Sequence, residues 1–160
     1  MLGIKKEFEL GNPSEDAKAF MNLHDVFLNA SLCRSKMMQS PVKNSAEEFT
    51  MSDRGRFERM WITFLYVLIE AWLSPIGAMA KSYMGSKTDL SEVDDIISKG
   101  KEDGCISKMR NVRDYMSHRD KRDYWDAGRI DVAGQLGYHN SLHSKFSKAF
   151  LETFNHSKEN

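Results

Sequence analysis

The chain is poor in the residues that interrupt or cross-link a backbone. It has three prolines and two cysteines among 160 residues, and its few β-branched stretches do not alternate as half-buried strands do. Cys33 and Cys105 lie far apart and outside any CxxC spacing, so they read as two buried thiols in a reducing compartment rather than as a disulfide. Charge of one sign is also lacking: 23 basic and 23 acidic residues give a formal net charge of zero. That excludes a generally basic nucleic-acid coat, so any contact with RNA or DNA must come from a local patch. There is no internal repeat, no glycine-rich phosphate loop, no GxSxG and no zinc-ribbon cysteine pattern. The segment Met1–Pro13 lacks the unbroken apolar core of a signal peptide. The longest apolar run, from Trp61 to Leu73, is short for a membrane span and contains Glu70. These features together predict a soluble, cytoplasmic protein with no membrane association.

What is present is helical. Apolar residues make up 41% and charged residues 29%, enough for one domain with a core of its own. A single all-α domain over 1–160 is expected, an up-and-down bundle of four to five helices. A lead-in over 1–12 and a tail over 156–160 should be loosely ordered. Asn12, Pro13 and the acids after them predict a first helix from 13 to near 38, followed by a break at Ser40-Pro41. A second helix starts between Ser45 and Ser52. Its centre is Phe57, Met60, Trp61, Phe64, Leu65, Leu68 and Trp72, with Ile62, Val67, Ile69 and Leu73 on the other side. Such a helix is enclosed by neighbours. Ser74-Pro75 kinks or breaks it. A short third helix carries Leu90, Val93, Ile96 and Ile97 and stops at Gly100. A fourth places Ile106, Met109, Val112 and Met116 on its core stripe. Gly134, Gly137 and the cap-like Asn140 precede a last helix with Leu142, Phe146, Ala149, Phe150 and Phe154. His24 reads as a surface or half-buried residue.

The residues suited to phosphodiester chemistry lie on the fourth helix, in Arg113-Asp114-Tyr115-Met116-Ser117-His118. Arginine offers a planar, always charged fork of donors matched to phosphate oxygens. Histidine accepts and donates a proton near neutrality. Five positions on a regular helix of 3.6 residues per turn put His118 about 140° from Arg113. The two therefore converge on one phosphate only across a groove, at a distorted helix end, or against a second copy of the same helix. Arg110, Asp114 and His118 do share a face. Glu70, the one acid in the apolar segment, needs a partner there, and Arg113 or Arg110 would serve. That pairing reads either as orientation of the arginine for phosphate or as an ion pair with no chemistry.

After His118 the charges alternate in sign, which describes a solvated face. Arg119, Arg122 and Trp125, with Arg110 and Tyr115, also form the set available for phosphate contact and base stacking. His139 and His143 stand four apart, a spacing that can chelate a metal. The sequence positions no third ligand, so they read as two polar-face histidines.

A helical bundle with Arg113, Asp114 and His118 on a late helix resembles the HEPN superfamily, whose pattern is R-x(4–6)-H with Asn, Asp or His favoured after the arginine. The resemblance covers most of the chain as helix order and is specific at those three residues. It implies a homodimer in which two copies of the motif face each other, and, in active members, metal-independent endoribonuclease activity without a cofactor. His118 would then transfer protons at the ribose 2′-hydroxyl or the leaving 5′-oxygen. Arg113 would stabilise the phosphorane, and Asp114 or Glu70 would orient them. Products would carry 2′,3′-cyclic phosphate ends, and DNA would resist. RNA is the implied partner, with an antitoxin or other protein partner where the protein belongs to a toxin–antitoxin or defence system. Other members of that superfamily are non-catalytic nucleotide-binding or interaction modules. A more distant reading is a metal-binding bundle using His118, His139 and His143.

Overall fold

In a computed structural model of the chain, residues 13–42, 52–117 and 135–156 are described. Among them the secondary structure is entirely helical: α1 Glu15–Gln39, α2 Asp53–Trp72, α3 Pro75–Gly85, α4 Ser91–Glu102, α5 Cys105–Ser117 and α6 Leu136–His156. The expected lead-in, the tail beyond His156, Gly134 and the loop before Ser52 lie outside the described residues.

Each helix start has a local cause. Ser14 caps α1 by accepting from the Ala17 amide at 3.1 Å, with Glu15 and Asp16 in the first turn. The helix thus starts at Glu15, two residues beyond the expected 13. Ser52 caps α2 through the Gly55 amide at 3.1 Å. Ser74 caps α3, with Pro75 in the first turn where its missing N–H costs nothing. Asp89 accepts from the Ser91 amide at 2.9 Å at the start of α4. That helix runs two residues past Gly100, and Gly104, at φ 72°, makes the turn into α5.

Among the described residues there are six helices where four to five were expected, because Ser74-Pro75 is a full break. The α2 and α3 axes meet at 83°. Gly77 permits that corner: a Cβ there would lie 2.2 Å from the Trp72 carbonyl oxygen and 2.3 Å from that of Ala71. Trp72 locks it from the other side, its indole N–H donating to Asp94 at 2.8 Å while Lys81 lies 5.2 Å from its ring centroid. No single described helix is long and apolar enough to cross a membrane.

The core forms around α2, which packs against α1, α3, α5 and α6. Trp61, Ile62, Leu65, Leu68, Ile69 and Trp72 are all buried on it, as a helix apolar on most sides requires. Leu73 departs from the expectation and is half exposed. Phe20 and Phe27 of α1 meet Phe150 of α6 at 5.7 and 5.1 Å, and His24 is half-buried between Phe150 and Phe154. Helix α6 is also tied to α4, where Glu92 takes Lys145 at 2.8 Å and Lys148 at 3.1 Å. Cys33 is buried and Cys105 half-buried, both as free thiols.

Several expectations are corrected here. Asn140 is inside α6 rather than at its cap, and accepts from Arg34 Nε and Nη2 at 3.1 and 2.9 Å. His139 and His143 point inward, not to a polar face: His139 is 2% exposed, and His143 sits between Phe27 and Trp61. On α5 the buried positions are Met109, Val112 and Tyr115, whereas Ile106 and Met116 are only half-buried. The helix is turned slightly from the expected stripe, which carries Tyr115 into the interior.

Candidate active site

Helix α5 lies against α2, and the side chains singled out by the sequence gather along that seam. Arg113 falls at the edge of the buried face of α5, with its side chain 29% exposed. From there it reaches across to α2, where Nη2 donates to Glu70 Oε1 at 3.2 Å. Its Nε lies 3.0 Å from Asp114 Oδ1. That second contact is an ion pair without hydrogen-bond alignment, since Nε finds no acceptor in line among the described residues. Sequence neighbours on a helix diverge by about 100°, which explains the poor angle. Arg110, one turn earlier, approaches the other Asp114 oxygen at 3.7 Å, as the shared face predicted.

Glu70 takes the partner the sequence required, but not in the interior. Its side chain is 46% exposed, so the pair sits at the rim of the α2–α5 seam. At such a place the pair contributes little to the stability of the fold.

Beneath the guanidinium lies Tyr66, one helical turn before Glu70 and 7% exposed. The Arg113 Cζ is 5.1 Å from its ring centroid, a cation–π distance. The Tyr66 hydroxyl is pushed above its ordinary pKa, first by burial and then by hydrogen bonding to Glu70, with Arg113 acting in the opposite sense. In the sequence Tyr66 is one more residue of the apolar run from Trp61 to Leu73. The available signal was its spacing of four from Glu70, which stacks the two on one face of α2.

The structure therefore brings together Arg110, Arg113, Asp114 and Glu70, and adds Tyr66. Tyr115 is 8% exposed, on the inward side of α5. His118, Arg119, Arg122 and Trp125 lie outside the described residues. Two positive and two negative side chains share the rim, so the cluster is locally balanced. The Arg113 guanidinium meets Glu70 through Nη2 and Asp114 beside Nε, with Nη1 carrying no carboxylate among the described residues.

A second polar group lies in the core between α1, α2 and α6. Burial lowers the pKa of His139 and of His143 to about 4, with Arg34 adding to the effect on His143. Neither ring nitrogen of His139 has a hydrogen-bond partner among the described residues. Among the described residues no three His, Cys, Asp or Glu side chains are placed to hold a metal ion. Glu58 and Arg59, charged residues at the start of the apolar stretch, are also buried on α2, at 6% and 8% exposure. Burial raises the Glu58 pKa against the opposing charges of Arg54 and Arg59. Compared with protein-family models, curated proteins and solved structures, the chain matches none of them.

Proposed function

We propose that the protein is a HEPN-like homodimer that binds RNA and cleaves it without a metal ion. The observation that carries this reading is the seat of Arg113: a guanidinium held at the rim of two helices by Glu70, Asp114 and Tyr66, five residues before His118. A fixed, permanently charged fork is what stabilises charge building on a phosphorane, because it needs no reorganisation when that charge appears. His118 is assigned the proton transfers. As a base it takes the ribose 2′-hydroxyl proton, so that the 2′-oxygen attacks phosphorus; a protonated imidazole gives a proton to the leaving 5′-oxygen. The products are a 2′,3′-cyclic phosphate and a free 5′-hydroxyl. DNA, lacking the nucleophile, is not cut. Pairing two copies of the Arg113 to His118 motif would supply the convergence that a spacing of five denies to a single regular helix. A toxin–antitoxin or defence setting, with a protein partner that restrains the activity, fits such a nuclease.

One observation favours a second reading, a non-catalytic interaction or nucleotide-binding module acting as a homodimer. The Arg113 charge already faces two carboxylates at 3.0 and 3.2 Å, so an incoming phosphate has to compete with them. Magnesium-free incubation with total and transfer RNA separates the readings, with wild type beside Arg113→Ala and His118→Ala. The nuclease reading expects cutting by wild type, cyclic phosphate ends, and loss in both variants. Cutting that persists in both removes this site. A stable dimer that leaves RNA intact at high protein concentration establishes the module instead.

A further inference from the structure

We infer that Tyr66 is a positioning residue for Arg113: its ring, acting with Glu70 one turn later, sets the orientation of the guanidinium at the α2–α5 rim. The inference rests on the phosphate-directed reading of Arg113 but has its own geometric basis. Arg113 and Tyr66 come from different helices, 47 positions apart in sequence, and meet at 5.1 Å. An arginine side chain has several rotatable bonds and wanders unless it is held on more than one side. Here Glu70 takes one terminal nitrogen at 3.2 Å, Asp114 lies 3.0 Å from Nε, and the Tyr66 ring closes the face beneath.

Of these three, Tyr66 is the one that cannot move away. It is 7% exposed within the core cluster, whereas the carboxylates are 46% and 40% exposed and free to change rotamer. Glu70 stands one turn further along the same helix, so the ring and the acid meet the guanidinium from one rigid element. When a phosphate arrives and displaces a carboxylate from the guanidinium, the Tyr66 ring is the support that stays. Orientation in the loaded site therefore depends on Tyr66 more than on either acid.

The test uses the whole chain as wild type, Tyr66→Phe and Tyr66→Leu. Phenylalanine keeps the ring and the core volume, so that variant folds; leucine removes the aromatic face. The first readout is the Arg113 Nε–Hε resonance, assigned by its loss in Arg113→Ala, with its heteronuclear relaxation as a measure of order. The second is magnesium-free RNA turnover at saturating RNA, normalised to folded protein. Tyr66→Phe should keep the Arg113 resonance ordered and turnover near that of wild type, because the ring remains. Tyr66→Leu should move the resonance to the position of a free arginine and lower turnover about tenfold to a hundredfold, the size expected of a misplaced catalytic group. An Arg113 resonance unchanged in Tyr66→Leu overturns the inference, and so does full turnover per folded molecule. Absence of turnover in wild type overturns the nuclease reading alone, and the resonance still decides the role of Tyr66.

Discussion

The indole N–H of Trp61 donates to Nδ1 of His143 at 3.2 Å, and this contact sets the protonation state of the imidazole. An indole nitrogen is a donor only, so Nδ1 must carry a lone pair, and the neutral ring keeps its proton on Nε2, which faces Ser31 Oγ at 3.4 Å. Protonation would set one N–H against another inside the core.

Stability should therefore fall as the solution is acidified. His139 and His143 have folded pKa values of about 4 against 6.5 when exposed. Between those values the unfolded chain binds protons that the native state refuses. The stability contributed by the neutral rings is complete above pH 6.5, declines through the window, and is gone below about pH 4. Each histidine adds a slope of up to about 1.4 kcal/mol per pH unit. His24, also lowered by burial, acts in the same direction, while Glu58, raised by burial, opposes it. Urea midpoints measured from pH 7.5 to 4.5 should drop steadily below 6.5. A midpoint that is flat across that range would mean that the rings take up protons without leaving the core.

Replacing His143 by Phe keeps a ring between Phe27 and Trp61 but leaves the Trp61 N–H without an acceptor. A buried donor left unpaired costs about 1–3 kcal/mol, so the variant should be less stable at pH 7.5. It also lacks a group that the unfolded state protonates. Its midpoint should fall more slowly on acidification, and the gap from wild type should narrow by pH 5. Parallel curves would show that His143 does not contribute to the pH dependence.

The two glycines of α3 should respond differently to alanine. At Gly77 an added methyl meets the Trp72 and Ala71 carbonyls at 2.2 and 2.3 Å. Those atoms are backbone, so relief requires opening the α2–α3 corner. The cost should reach about 3 kcal/mol, against a helix-propensity gain of about 1. At Gly85 nothing lies within 4 Å, and alanine should be neutral or slightly stabilising. Thermal melts of the two variants decide the matter, and equal melting temperatures would remove the close approach as the reason for glycine at position 77.

The sequence was most legible where one chain segment decides its own state. The period of α2, the break at Ser74-Pro75 and the need of Glu70 for a basic partner were all present in local spacing. The corrections arise where a neighbour decides. Whether His139 and His143 face solvent depends on Trp61 and Phe27, far away in sequence, and a histidine spaced by four looks the same on either face. Tyr115 turned inward because α5 rotates to bury Met109 and Val112 as well. Tyr66 passed as one more apolar residue, since only the approach of α5 gives its ring a cation to carry. The motif is legible as residues. The approach of His118 to Arg113 is a matter for the segment beyond Ser117, outside the described residues.

Arg113→Ala should leave the fold nearly intact, which is what makes it a clean functional variant. The Glu70 side chain it abandons is 46% exposed and Asp114 is 40% exposed, so water replaces the guanidinium at both. A surface ion pair contributes about 0–1 kcal/mol and an exposed cation–π contact about 0.5–1. A total near 1 kcal/mol corresponds to a melting temperature lowered by about 2–4 °C in a chain of this size. Arg113→Lys should be equally stable yet fail to restore phosphate handling, because an ammonium offers a point charge where a fork is needed. If Arg113→Ala instead melts far below wild type, the guanidinium is chiefly a brace between α2 and α5. Its loss of RNA cutting would then report a damaged seam rather than a missing phosphate contact.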